Sequence, residues 1–76
     1  DISARMDSFR ESARRLAAKK DSLPADLHPH LEGIRQASES IVECMRTDQE
    51  DCVPGEKFLS RYLPAAHKVV DERIRL

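Results

Sequence analysis

Apolar residues recur at helical spacing in three separate stretches of the chain. In the first, Ile2, Met6, Phe9, Ala13, Leu16 and Ala17 follow at intervals of four, three, four, three and one. That is one face of an amphipathic helix, close to a coiled-coil seam. Lys19 and Lys20 stand where a helix C-terminus favours cations. Pro24 then disfavours helical geometry at Leu23 and closes the element. The second stripe runs through Leu27, Leu31, Ile34, Ala37 or Ser38, Ile41 and Met45, with Cys44 beside it. Asp26 is the expected N-cap, and Pro29 falls in the first turn, where its missing N–H matters little. Gly33 is an internal weak point, worth about 1 kcal/mol relative to Ala, or else a place where a neighbouring helix comes close.

Residues 47–53 are polar and acidic and read as a loop. Pro54 suits the first position of a third helix, with Glu56 in its first turn. The third stripe is Leu59, Tyr62, Leu63, Ala66, Val69 or Val70, and Arg73 or Ile74. Pro64 interrupts it. An interior proline lacks the donor for the carbonyl of Ser60 and clashes there, which predicts a kink near residues 60–64 or a second helix starting at Pro64. The expected architecture is therefore all-α: a three-helix antiparallel bundle in one domain, residues 1–76, with helices over about 1–21, 27–46 and 54–76.

A chain of 76 residues holds one domain and a thin core. Its aromatic residues are Phe9, Phe58 and Tyr62, so that core must be aliphatic. The net charge of −1 gives no global field to attract nucleic acid or an anionic membrane. Residues 1–22 carry +2, residues 26–46 carry −2, residues 47–56 carry −4 and residues 57–76 carry +3. An acidic middle helix between two basic ones would favour side-by-side packing. No apolar run approaches the roughly 20 residues of a membrane span, so no membrane insertion is expected. The chain opens at Asp1, already inside a helical pattern, as a piece of a longer protein would. A cytoplasmic location is expected, with a parent that can be membrane-associated.

The residues that could carry chemistry are few. Cys44 and Cys52 flank the second loop, where either a disulfide closes a short loop or two unrelated thiols sit, Cys44 in the core and Cys52 in the loop. His28, His30 and Glu32 match zinc-ligand spacing poorly, and the two cysteines are not in a C-x-x-C arrangement. His67 flanks the third stripe. Asp48-Gln49-Glu50-Asp51 lacks the alternating ligands and central glycine of a calcium loop. Arg5, Arg10, Arg14, Arg15, Lys19 and Lys20 scatter around the polar side of the first helix among Asp7 and Glu11, as a solvated face does. No serine lies in a nucleophile elbow, and no phosphatase-type cysteine loop is present. The reading assigns no catalytic residue, metal ligand or cofactor; it expects a protein partner or a second copy, and no nucleic acid.

One stretch is more particular. Phe58-Leu59-Ser60-Arg61-Tyr62-Leu63-Pro64, followed by Lys68-Val69-Val70, resembles the C-terminal signature of the 5-bromo-4-chloroindolyl phosphate hydrolysis family of bacterial proteins, also called XpaC-like. Phe58, Leu59, Tyr62, Leu63, Pro64 and Lys68 match it. Arg61 stands where a second tyrosine is often found, Ala65 and Ala66 where threonines are common, and His67 where an aliphatic stands. The resemblance implies a link to toxic-anion (tellurite) resistance and, through the family's name, to phosphate-ester hydrolysis, although no phosphate-binding loop accompanies the motif. Physically, Phe58, Leu59, Tyr62 and Leu63 make a broad apolar surface on one helical turn, to be filled by the core or by a docking partner helix.

Overall fold

The computed structural model describes residues 2–48, 50 and 52–75. The expected start of the first stripe at the Ile2 side chain, and Gln49 and Asp51 of the acidic loop, lie outside the described residues. Three helices make up the bundle: α1 (Ile2–Ala18), α2 (His28–Thr47) and α3 (Cys52–Arg75). No strand occurs among the described residues. The molecule is a rod of 40 × 18 × 17 Å. Ion pairs give the directions of the helices. Arg10–Glu43 and Arg14–Glu39 set α1 antiparallel to α2, while Arg5–Glu56 and Lys19–Asp71 set α1 parallel to α3.

The first connection is built from two short 3-10 turns, Lys19–Ser22 and Ala25–Leu27. Leu23 is extended at φ −126° and ψ 158°, as a residue before proline must be. Asp26 does not cap α2. It lies inside the second 3-10 turn, and Leu27 precedes the helix with no side-chain cap. The turn itself supplies the missing acceptors: Leu27 N–H donates to Pro24 O, and His28 N–H to Ala25 O. A carboxylate cap is therefore not needed.

The second connection is shorter than residues 47–53. Thr47 completes α2, its hydroxyl donating to Glu43 O at 3.1 Å. The Glu50 N–H then donates to the Asp48 carboxylate at 2.9 Å. The third helix starts at Cys52, two residues before Pro54. Pro54 remains within the first turn, where N–H groups have no partner in any case. At Pro64 the helix does not break: α3 is α-helical without interruption to Arg75. Burial on both sides of the proline holds it together. Leu59 and Leu63 before it and Val70 after it are all buried, and each fully buried aliphatic side chain contributes about 1.5–3 kcal/mol against a proline penalty of about 3 kcal/mol.

The core divides along the rod into two clusters. Met6, Ala13, Val42, Met45, Leu59 and Leu63 form one, with Phe9, Ile41 and Cys52 against it. Leu16, Leu31 and Val70 form the other, with Leu23, Ile34 and Ala66. At two of the three open choices, Ser38 and not Ala37, and Val70 and not Val69, point inward; at the third, Arg73 and Ile74 are both exposed. Tyr62 leaves the predicted core stripe and Val42 joins the core. Gly55 is the glycine of close approach: a Cβ there would lie 2.7 Å from Met45 Cγ, whereas one on Gly33 would meet nothing within 4 Å.

Candidate functional site on the outer face of the third helix

The Phe58 to Lys68 motif divides between two environments. Leu59 and Leu63 are inside. Phe58 and Tyr62, one residue earlier in each case, are rotated by about 100° on the helix and emerge 49% and 37% exposed. Their rings stack on one another with centroids 5.1 Å apart and planes inclined by 13°. The apolar stripe continues outward along α3 through Ala65, which is exposed, to Val69, which is 64% exposed. Phe58, Tyr62, Ala65 and Val69 are spaced four, three and four apart. That is the spacing of a helix that packs on another helix, yet none of the described elements covers it.

Beyond Val69 the stripe runs into a groove of about 200 Å³ where α3 meets the first connection. Leu23, Leu27, Leu31 and Val70 form its apolar wall, with His30 and Arg73 at its rim. Cations border the stripe. Lys57 and Arg61 lie against the aromatic pair, and Lys68 follows seven residues after Arg61. Pro64 and Lys68 are exposed. None of Lys57, Arg61, Lys68 and Arg73 forms an ion pair among the described residues. Arg5, Arg10, Arg14, Lys19, Arg35 and Arg46 do, while Arg15, Lys20 and Arg75 elsewhere on the surface also form none among the described residues. Glu72 is an exposed carboxylate of the same region.

Other candidate residues fall elsewhere. Cys44 and Cys52 are free thiols. Their expected roles are exchanged: Cys44 is exposed, and Cys52 packs on the first core cluster. His28 Nε2 donates to Leu23 O at 3.1 Å and pins the first connection. No three His, Cys, Asp or Glu side chains converge as metal ligands would among the described residues. Nor is any described helix long and apolar enough to cross a membrane. On α2, Arg35 reaches both Glu32 and Glu39. The Arg35 hydrogen bond holds the Glu32 carboxyl below its ordinary pKa, and the same bond raises that of the guanidinium.

A polar cluster that no local motif announces lies between α1 and α3. Lys19 Nζ lies 2.9 Å from His67 Nδ1 and 2.6 Å from an Asp71 oxygen. His67 Nε2 lies 3.0 Å from both Ser12 Oγ and Ser12 O. An ammonium only donates, so Nδ1 accepts and Nε2 carries the proton. Nε2 then donates to Ser12, and in this tautomer it cannot take the Ser12 hydroxyl proton as a general base would. The cluster is a clasp between helices. The Lys19 hydrogen bond also lowers the Asp71 pKa. Its signal was present as spacing: Ser12 and Lys19 are seven apart, His67 and Asp71 four apart, each pair on one helix face.

No protein-family model, curated protein or solved structure matches this chain.

Proposed function

We propose that this chain is a non-catalytic helical interaction domain of a bacterial XpaC-like protein, serving toxic-anion (tellurite) resistance, and that it docks through the outer face of α3. The observation that carries this reading is the stacked, partly exposed Phe58–Tyr62 pair beside cations that have no ion-pair partner among the described residues. Burying such rings against a partner removes apolar area from water and supplies the aromatic anchors on which interfaces depend. The XpaC-like motif adds support through its residues: Leu59 and Leu63 hold α3 in the bundle while Phe58 and Tyr62 are left for contact. The competing reading, part of a phosphate-ester hydrolase, rests on the family's name; in the Ser12–His67 contact the Lys19 ammonium at Nδ1 favours the tautomer that withholds a base.

The test is site-specific photo-crosslinking of the whole protein in the cells that produce it. Phe58→p-benzoylphenylalanine should give a discrete adduct, and the same residue at exposed Gln36 on α2 should not. Identical adduct patterns from both positions would refute docking through α3. Separately, the purified protein should leave an aromatic phosphate ester intact. Hydrolysis that copurifies with it and disappears in His67→Ala or His28→Ala would establish the hydrolase instead.

A further inference from the structure

Resting on that docking reading, we infer that the occupant of this face is an amphipathic helix of a different protein, carrying carboxylates along one edge and a large apolar side chain at one end. Three features of the surface define it. The stripe from Phe58 to Val69 covers twelve residues, about 16 Å or three turns, and its spacing accepts a helix with the same repeat. At its far end the groove of Leu23, Leu27 and Val70 is concave and apolar, with room for one side chain. Lys57, Arg61 and Lys68 follow one edge of the stripe, without a carboxylate partner among the described residues.

Charge selects among the occupants this shape would accept. A second copy of this chain would bring the same four cations, Lys57, Arg61, Lys68 and Arg73, against themselves, with the exposed carboxylates of Glu72 on α3 and Asp26 in the first connection as a partial offset. Juxtaposed like charges are how interfaces reject a partner. An anionic bilayer would satisfy the cations but is flat, and would leave the groove unfilled. A helix with acidic residues on the matching edge satisfies the stripe, the groove and the cations together. The rest of the molecule pairs its helices in the same manner, with Arg10–Glu43 and Arg14–Glu39 bordering the packed seam of α1 and α2.

The experiment extends the crosslinking from Phe58→p-benzoylphenylalanine by identifying the adduct and by reversing the edge charge. The expected adduct lies on a helical segment of another protein with Asp or Glu at i, i+4 or i, i+7 beside its apolar stripe. The triple variant Lys57→Glu, Arg61→Glu, Lys68→Glu should lower its yield about tenfold or more, with helicity and Tm retained because all three residues are exposed. Reversing the acidic residues of the crosslinked segment to Lys should restore it. An adduct with a second copy, an adduct with lipid, or an adduct insensitive to the triple reversal would each overturn the acidic-helix inference and leave docking at α3 standing. Absence of any Phe58-specific adduct would overturn both.

Discussion

At the scale of single residues, two glycines with the same name have opposite roles. Gly33 is exposed and nothing surrounds the position of its missing Cβ. It carries the entropy of a flexible residue in a helix without any packing return. Gly33→Ala is therefore expected to raise stability by about 0.5–1 kcal/mol, measured as the urea midpoint. Gly55 lets α3 approach α2. A methyl there meets Met45 Cγ at 2.7 Å, Met45 Sδ at 2.8 Å and Ile41 Cγ2 at 3.3 Å, and Met45 is itself buried. Overpacking costs about 1–3 kcal/mol, more than the helical gain, so Gly55→Ala should lower the midpoint. The carboxylates make a second prediction at this scale. The pKa values of Asp71 and Glu32 are lower in the folded chain than their ordinary values, through hydrogen bonds to Lys19 and Arg35 respectively. The unfolded chain then binds protons first as the pH falls, so this stabilisation is complete at neutral pH and is lost as pH drops through the ordinary carboxylate range, about 4, and below. Asp71→Asn should flatten the acid limb of a plot of Tm against pH; an unchanged limb would show that the Lys19 contact carries no linkage.

At the scale of the element, α3 has two faces that adjacent residues divide. Leu59 is fully buried while Phe58, beside it, is half exposed. Leu59→Ala should cost about 2–5 kcal/mol, as deletions in a packed core do. Phe58→Ala should cost less, about 1–2 kcal/mol, from the stack with Tyr62 and the half of the side chain that is covered. Urea denaturation of both variants checks the contrast; equal losses would place Phe58 in the core. The sequence made the three helices legible because each stripe keeps its period over five or more apolar positions. Within a stripe it could not choose between neighbours such as Ala37 and Ser38, or Val69 and Val70. A shift of one residue turns a side chain by about 100°, and only the partner helix decides which of the two it covers. Helix ends were less legible still. Asp26 was a sound cap by type, but the 3-10 turn before α2 already supplied its acceptors. Pro64 carried a local preference against helix that burial of Leu63 and Val70 on either side overrode. The Phe58 to Lys68 motif was legible as a cluster of residues, and its division into an inner and an outer half was not, because that depends on where α1 and α2 stop covering α3.

At the scale of the whole molecule, the least local arrangement is the pairing of α1 with α3, parallel helices that are not consecutive in the chain. Turns bring α2 to α1 and α3 to α2, but no turn joins α1 to α3. Their seam is pinned by contacts between residues about fifty apart: Arg5 with Glu56 at one end, and the Ser12, His67, Lys19 and Asp71 clasp towards the other. The clasp lies beside Ala66 and Val70, which belong to the smaller of the two core clusters. That cluster has the fewest buried side chains, so a polar clasp that fixes helix register matters more there than beside Leu59. His67→Ala removes the acceptor for Lys19 and the donor to Ser12, each net hydrogen bond being worth roughly 0.5–1.5 kcal/mol. The total for a domain of this size is about 4–11 kcal/mol. The loss should therefore appear as a clear fall in Tm, with amide exchange rising first in residues 66–75 and in the first connection while the Met45–Leu59 end stays protected. Uniform loosening along the rod would show that the two clusters open as one unit and that the clasp holds no register of its own. The docking proposed at α3 would depend on the same seam, because Lys68 and Val69 follow His67 directly and the groove wall is built on Val70. His67→Ala should accordingly weaken the Phe58 adduct although His67 lies on the opposite side of α3 from the stripe.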